Sequence, residues 1–394
     1  MRVLVIHCTY QQKGGEDTVV SEEVKLLKSH GITADTLIFS NTGNTLLKLL
    51  QMPFNIQSYW ATRRKIREFQ PDIVHIHNLH FAGSFSVPYA IKSLGVPFVT
   101  TLHNYRLLCP SAILFHKNRP FTVSIGQRFP WKAVRMGVYK NSRLLTFWVA
   151  LCMRLHQKLG TLRLCSRYIV LSDHARDLFL SSKGILEKEK LVVKQNFCDP
   201  FPAKALHEKD YFLFVGRLSE EKGIGTLLTA FSRCMYKIKI AGDGPLKEEV
   251  LRYAASFPNI EYLGALPKKD ILTLLSDCTA LVFPSTWPEG MPMTIIEAFS
   301  CGMAVIASRL GVMESMIVDG YNGMHFEAGN SADLLNKLHA WSRLTTQERN
   351  DYYDHAHATF DKYYTPEKNF EHLLNVYTDT LKINGYSTYS PVAS

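Results

Sequence analysis

The sequence predicts an α/β chain built as two doubly wound domains of roughly 200 residues each. Three observations lead there. The first is length, since 394 residues exceed what one ordinary core organises and suit two. The second is a series of short apolar runs separated by helical stretches, the pattern of parallel strands covered on both faces. The third is that this alternation breaks once, near residues 196–205, and then restarts. A composition of 46% hydrophobic and 20% charged residues is that of a globular chain.

In the first half, Val3–Cys8 reads as an apolar strand, followed by a Gly14-Gly15 turn and a helical pattern from Thr18 to Ser29. Thr33–Phe39, Ile73–Ile76 and Val96–Leu102 read as further strands, and Tyr168–Leu171 closes the half. Residues 117–165 are less regular and mix aromatic with basic side chains at helical spacing. The seam contains Cys198-Asp-Pro-Phe-Pro-Ala203, which no regular element tolerates. Beyond it, Phe212–Val215, Ile238–Ala241, Ile260–Leu263, Ala280–Phe283 and Ala304–Ala307 read as strands, with helices between, such as 225–234 and 247–256. Pro366–Lys382 is an amphipathic helical stretch, and the tail from Asn384 is polar and expected to be loose.

Several classes drop out early. The N-terminus runs straight into a strand with no basic and apolar leader, so no secretory signal is expected. No stretch approaches the ~20 apolar residues of a membrane span. The eight cysteines are scattered without a CxxC pair, which suits reduced thiols better than a disulfide framework or a zinc site. Charge is uneven: residues 1–200 carry a net +15 and the remainder −5. No Asp or Glu occurs from Ile73 to Ser172, where 13 Lys or Arg do. That stretch should attract an anionic partner such as a membrane surface or an anionic acceptor. A merely solvated basic face and nucleic acid are the other readings.

Four motifs could carry chemistry. The strongest is Pro284-Ser-Thr-Trp-Pro-Glu-Gly-Met-Pro-Met-Thr-Ile-Ile-Glu-Ala298, which follows a strand. Pro288-Glu-Gly290 reads as a turn, and Pro292 is expected in the first helical turn, where a missing N–H costs little. Free N–H groups at that helix start would face an anion such as a diphosphate. Glu289 in the loop and Glu297, about two turns inside the helix, are expected to contact two ends of an extended ligand rather than pair. A carboxylate suits the vicinal hydroxyls of a ribose or sugar. Its bland alternative is a salt bridge or cap.

The second motif is Phe214-Val-Gly-Arg-Leu-Ser-Glu-Glu-Lys-Gly223, where Arg217 and Lys222 follow a strand end. A guanidinium and an ammonium there would neutralise charge on a diphosphate leaving group. The third is Thr101-Leu-His-Asn-Tyr-Arg106, with His103 at a strand's carboxyl edge, able to hydrogen-bond a sugar hydroxyl or simply to serve the structure. His75 and His77 alternate on a strand and mimic a metal pair, but no third ligand stands out, so no metal site is expected. The fourth is Gly14-Gly15-Glu16-Asp17, where glycine lets a ligand approach the backbone or merely makes a strand-to-helix connection. Ala241-Gly-Asp-Gly-Pro245 is a fragment of a dinucleotide fingerprint without its context, so a nicotinamide site is discounted. An Asp-x-Asp triplet for a metal-held donor is absent.

Glu289 and Glu297 bracket seven residues. With Gly216-Arg-Leu…Lys222-Gly, Ala241-Gly-Asp-Gly-Pro and Tyr262-Leu-Gly-Ala-Leu-Pro, the second half resembles retaining GT-B glycosyltransferases of glycosyltransferase family 4, bacterial surface-polysaccharide type. The first half resembles them through Gly14-Gly15, Val74-His-Ile-His77 and His103-Asn104. The resemblance implies a GT-B architecture, two Rossmann-like domains facing across a cleft. It implies an acceptor domain over 1–198, a nucleotide-sugar domain over 199–365, and a C-terminal helix within 366–394 packing back toward the first domain before a loose tail.

The resemblance also implies roles. Arg217 and Lys222 would hold the donor diphosphate, and Glu297 the nucleotide ribose. Glu289 with the backbone of Gly290 and Met291 would hold the donor sugar. His103 would contact that sugar from the first domain, and Gly15 would lie near the phosphate. His103, Glu289, Arg217 and Lys222 would be the catalytic set. Transfer would keep the anomeric configuration by front-face attack, with no cofactor and no metal, the nucleoside-diphosphate sugar being a substrate. Two departures stand out. Pro292 takes a position where many relatives have Gly, removing one backbone donor. Phe121, Ser124 and Val138 stand where some relatives carry cysteines, so Cys109 reads as a core thiol.

The expected protein is therefore a metal-independent retaining glycosyltransferase, peripheral on the cytoplasmic face of the plasma membrane. Its acceptor would be a lipid-diphosphate-linked saccharide of surface-polysaccharide biosynthesis. Trp131, Phe147 and Trp148 in the acid-free stretch support docking on an anionic leaflet. A soluble enzyme of the same fold acting on a small molecule, protein or glucan is the alternative. A non-catalytic nucleic-acid-binding protein is the alternative of another class; no nucleic-acid partner is expected.

Overall fold

A computed structural model describes residues 1–9, 14–41, 45–117, 119–182, 184–201 and 210–386, without the side chains of 45–47. Part of the seam and the end of the tail lie outside these residues. The chain divides into two compact units. One comprises residues 1–112, 122–196 and 366–394, and the other 113–121 and 197–365.

The first unit carries β1 (Arg2–Thr9), β2 (Thr33–Ser40), β3 (Ile73–Ile76) and β4 (Phe98–Leu102). A short antiparallel hairpin, β5 (Phe115–His116) and β6 (Arg119–Pro120), belongs to the second unit. β7 (Arg167–Val170) and β8 (Leu191–Val193) complete the first sheet. Its order is β2-β1-β3-β4-β7-β8, parallel throughout. The edge strand β8 was not expected, because three apolar residues running into Lys194 and Gln195 give no clear strand pattern. The supposedly irregular 117–165 contains the helices Trp131–Met136 and Arg143–Lys158.

Residue alternation along these strands sorts the core into two faces. Val3, Val5, Ile73, Val99 and Ile169 pack with Leu373, Val376, Tyr377 and Leu381 of the C-terminal helix Pro366–Ile383. Leu4, Ile6, Val74, Ile76, Phe98 and Tyr168 face the other way, against Ile66, Val87 and Ile91. Each such fully buried aliphatic side chain contributes about 1.5–3 kcal/mol. The C-terminal helix therefore completes one face of the first sheet.

The second unit carries β9 (Tyr211–Val215), β10 (Lys237–Ala241), β11 (Ile260–Gly264), β12 (Ala280–Phe283), β13 (Val305–Ser308) and β14 (Gly323–Phe326). The order β11-β10-β9-β12-β13-β14 is again parallel. The two predicted doubly wound sheets are thus present, with β14 added at an edge. In each, the winding reverses at one point: between β1 and β3 in the first sheet and between β9 and β12 in the second. Ligands of doubly wound sheets bind beyond the carboxyl ends of strands at this reversal. In the second unit, that places 216–223 and 284–292 on either side of it.

Two glycines let these loops meet. Gly223 has φ +72°, and a Cβ there would stand 1.9 Å from the Pro284 carbonyl oxygen. Gly242 has φ +147°, and a Cβ there would stand 1.8 Å from the Gly216 carbonyl oxygen. The Ala241-Gly-Asp-Gly-Pro segment is therefore a packing surface for the β9 loop, held also by Leu218 N–H to Asp243 carbonyl at 2.9 Å. Gly223→Ala combines a disfavoured backbone with a clash against main-chain atoms that cannot rotate away. It is expected to lower stability by at least about 2 kcal/mol, read as a lower urea midpoint than the wild type.

Candidate functional site

The first cluster of predicted residues forms at the carboxyl edge of the second sheet. After β9 the chain passes Gly216, Arg217 and Leu218, makes one short turn over Glu220–Lys222, and enters the helix Ile224–Phe231 through Gly223. The facing loop descends from β12. Thr286 N–H donates to the Glu221 carbonyl at 2.9 Å, tying the two loops together. Ser285 Oγ lies 3.1 Å from that carbonyl and 2.8 Å from Glu289 Oε1.

Lys222 Nζ donates to the same Glu289 oxygen at 2.7 Å. Glu289 is buried at 4% exposure, and the Lys222 side chain keeps 22%. The ammonium also lies 5.6 Å from the centroid of Trp287 and 5.7 Å from that of Phe283. Arg217 is exposed, and its guanidinium has no hydrogen-bond or ion-pair partner among the described residues. Met291 is buried beside Pro292.

The helix Met293–Ser300 starts one residue later than the sequence suggested. Pro292 is its N-cap, with φ −73° and ψ 116°, and no side chain caps it. Its first N–H groups lack intrahelical acceptors, as at any helix start. Glu297 consequently lies just over one turn inside, not two. Its side chain is 12% exposed and 3.5 Å from Lys268 Nζ. Burial pushes the Glu297 carboxyl above its ordinary range, against the opposing pull of Lys268. Lys268 begins its own helix, Lys268–Asp277, and nothing local in the sequence linked it to Glu297.

A second cluster lies in the first unit, and most of it was not foreseen. Glu23, on the helix Gly15–Ser29, is buried at 1% exposure. Its Oε2 accepts from Lys194 Nζ at 2.8 Å, and Lys194 is itself 2% exposed. Its Oε1 lies 3.0 Å from His77 Nε2 and 3.0 Å from His75 Nδ1. His77 Nδ1 lies 3.0 Å from His103 Nε2. His75 also meets the Tyr377 hydroxyl and Thr101 Oγ1, each at 2.7 Å. Lys194 further donates to Asn369 Oδ1 at 3.2 Å. His103 therefore stands at the end of a buried chain, at the carboxyl edge of β4, beside a cavity of about 130 Å³ lined largely by apolar side chains such as Met52, Phe81, Phe85 and Met153.

The expectation that His75 and His77 lack a third ligand is corrected here. Helix Gly15–Ser29 supplies Glu23, and three possible ligand atoms come within 4.8 Å of one another. The residues nonetheless fit a metal poorly. The Lys194 ammonium already supplies the cation, and a divalent ion beside it would meet a like charge in a weakly screening interior.

Gly15 is the first residue of its helix, not part of a free turn, with Gly14 as N-cap. Asp17 fixes this start: Oδ2 accepts from Gly14 N–H at 2.9 Å, and Oδ1 lies 2.8 Å from His7 Nε2 on β1. Gly15 and His103 belong to one unit; Arg217, Lys222, Glu289, Gly290, Met291 and Glu297 belong to the other. All eight cysteines are free, and Cys109 is fully buried.

In the acid-free basic stretch, Trp131 is 54% exposed and its ring neighbours Phe147. Trp148 differs from expectation. Its indole N–H donates to the Leu49 carbonyl at 2.7 Å, and it packs against a cluster around Met52, Val149 and Met153. Other exposed apolar residues there are Val123, Met136, Leu144, Leu151, Leu155 and Leu159. No helix among the described residues is long and apolar enough to cross a membrane.

Burial, then the neighbouring His75, holds His77 down at about 4, and burial likewise holds His103 and His80 well below the ordinary imidazole range. Lys194, His77 and His75 hold Glu23 well below the carboxylate range despite its burial. The unfolded chain binds protons on these histidines near pH 6.5 while the folded chain does not. Stability should therefore fall as pH drops from about 6.5 toward 4, by up to about 1.4 kcal/mol per pH unit for each such imidazole. Urea midpoints across this range measure it, and His77→Asn should flatten the slope.

Two family models match the chain. Residues 18–200 match Glycosyltransferase Family 4, and residues 199–358 match Glycosyl transferases group 1. O-antigen chain mannosyltransferase C of Escherichia coli is 24% identical, over 97% of this chain and 99% of its own. The N,N'-diacetylbacillosaminyl-diphospho-undecaprenol alpha-1,3-N-acetylgalactosaminyltransferase of Campylobacter jejuni is 28% identical over 34% of this chain and 35% of its own. Among solved structures, Anabaena HepE in complex with UDP superposes with a TM-score of 0.68 at 18% identity, covering 95% of this chain and 99% of that one. Two parallel Rossmann-like sheets and two consecutive family matches make the chain a glycosyltransferase of the GT-B fold, with a family 4 segment followed by a group 1 segment.

Proposed function

We propose that this glycosyltransferase takes its sugar from a nucleoside diphosphate, keeps the anomeric configuration and needs no metal ion. Its acceptor is a lipid-diphosphate-linked saccharide in surface-polysaccharide assembly. One observation carries the donor assignment. At the reversal point of the second sheet, the Lys222–Glu289 pair lies in loops that also hold exposed Arg217 and a helix start, with the partly buried Glu297 just over one turn into that helix.

Each group has a task in this reading. Arg217 and Lys222 meet the diphosphate, and the N–H groups of the helix start add to their charge. Together they supply the positive charge a metal would otherwise supply to the leaving group. Glu289, beside Lys222, takes sugar hydroxyls together with the backbone of Gly290 and Met291. Glu297 takes the ribose hydroxyls. Glu289 is held by Lys222 and Ser285, an environment that suits hydroxyl binding over nucleophilic attack. Front-face transfer, with the leaving phosphate assisting deprotonation of the acceptor, follows. In this reading His103 accepts from a sugar hydroxyl and Gly15 allows a phosphate to approach the backbone. The UDP in the Anabaena structure supports a nucleotide donor.

The acceptor assignment draws on relatives named for O-antigen mannosyl transfer and for a diphospho-undecaprenol substrate. It also draws on the surface of the acid-free stretch. Leu144, Leu151, Leu155 and Leu159 follow one another at helix-like spacing, with Trp131 and Met136 exposed and Lys132, Arg135, Lys140, Arg143, Arg154 and Lys158 in the same stretch. Apolar residues amid cations suit docking on an anionic leaflet at the cytoplasmic face of the plasma membrane.

A thermal-shift screen against UDP-, GDP-, ADP- and dTDP-sugars, with and without EDTA, tests the donor. One nucleotide should raise the melting temperature, by the equivalent of about 2.7 kcal/mol at 100 times Kd, equally with EDTA present. Stabilisation abolished by EDTA contradicts the metal-free reading. Lys222→Ala and Glu297→Ala should each lose at least about 100-fold in transfer while remaining folded. Unchanged turnover removes the residue from the site. Flotation with anionic liposomes at physiological salt should carry the protein upward, and a protein left at the bottom contradicts docking.

A further inference from the structure

We propose that Glu23, a residue remote from the substrate, fixes the tautomer of His103 through His77, so that His103 presents a bare lone pair at Nδ1. The tautomer follows from the hydrogen-bond chain alone. Its use in recognition rests on the assignment of His103 to a sugar hydroxyl.

Glu23 Oε2 is taken by the Lys194 ammonium at 2.8 Å, so the carboxylate is ionised and its other oxygen can only accept. His77 Nε2, 3.0 Å from Oε1, must therefore carry a hydrogen. A neutral imidazole carries one N–H, so His77 Nδ1 is a lone pair. That lone pair faces His103 Nε2 at 3.0 Å. Two lone pairs cannot share that distance, so His103 Nε2 carries the hydrogen and Nδ1 is left as an acceptor. His75 Nδ1 lies 3.0 Å from the same Oε1 and 2.7 Å from the Tyr377 hydroxyl, and its Nε2 is turned to the Thr101 hydroxyl at 2.7 Å. Burial disfavours the charged form of both His77 and His103, which keeps the two rings neutral and the relay unambiguous.

Nδ1 of His103 has no partner among the described residues, and the ring is only partly buried. A lone pair there accepts from a hydroxyl and repels phosphate or carboxylate oxygens. His103 thus reads a neutral hydroxyl of the sugar and rejects the anionic part of a substrate. Glu23 is a positioning residue in this scheme, and Lys194 keeps it ionised.

Selective 15N-histidine labelling with long-range 1H–15N correlation near neutral pH tests the relay on the wild-type protein. His103→Gln and His77→Asn identify the two sets of signals. His103 and His77 are expected to show a protonated Nε2 and an unprotonated Nδ1. A His103 protonated at Nδ1, or a doubly protonated ring, overturns the proposal. In Glu23→Gln, Lys194 should keep the amide oxygen and turn the amide NH2 toward His77. The protonated and unprotonated signals of both rings should then exchange places. Turnover should fall about 10-fold or more, because an N–H replaces the acceptor. A folded E23Q with unchanged tautomers also overturns the proposal, and if that variant does not fold, the wild-type spectrum decides. Full turnover by His103→Ala would instead remove His103 from sugar recognition and leave the tautomer result intact.

Discussion

A carboxylate buried at 1% exposure has to be answered by a cation, and in the first unit Lys194 answers Glu23. Removing either partner from such a pair typically costs about 3–5 kcal/mol, because the survivor is left charged and unpaired. The pair links the first helix to the chain just past β8. Through Asn369, Tyr377 and the three histidines, it also reaches the C-terminal helix, β3 and β4. An apolar core could have held these elements together without it. What the ionic arrangement adds is direction: hydrogen-bond donors and acceptors are assigned outward, ring by ring, to the edge of β4.

The second unit solves a different problem with backbone. Three loops have to meet above one sheet edge, and side chains would keep them apart. Gly223 and Gly242 let carbonyl oxygens come to within van der Waals reach of bare Cα positions. The cations Arg217 and Lys222, the carboxylate Glu289 and the helix start at Met293 are the beneficiaries. The sheet's own winding decides where this happens, since β9 and β12 are neighbours across the reversal point. The fold supplies the location and the loop sequence supplies the chemistry.

Most of the fold was legible because parallel strands buried on both faces read as unbroken apolar runs. The two parallel-sheet strands missed, β8 and β14, are edge strands of three and four residues that include or adjoin polar positions, and the two-residue hairpin strands β5 and β6 are too short to show a pattern. The second-unit site was legible for a related reason: its residues lie in two short loops, each directly following a strand. The first-unit network was not. Glu23 and Lys194 are 171 residues apart, and no local pattern joins them. One signal was present. Val19, Val20, Glu23, Leu26 and Leu27 form the buried stripe of the first helix, so Glu23 occupies a core position by period. A carboxylate on an apolar stripe demands a buried cation, and that demand could have prompted a search for one.

The proposed donor site in the second unit requires that it grip a diphosphate. Calorimetry with the nucleoside diphosphate the protein binds and the matching monophosphate, on wild type and Arg217→Ala, measures this directly. The diphosphate should bind at least about 10-fold more tightly, a difference of about 1.4 kcal/mol, and Arg217→Ala should erase most of that gain while leaving the monophosphate nearly unchanged. Equal affinity of the two nucleotides for the wild type would contradict the account.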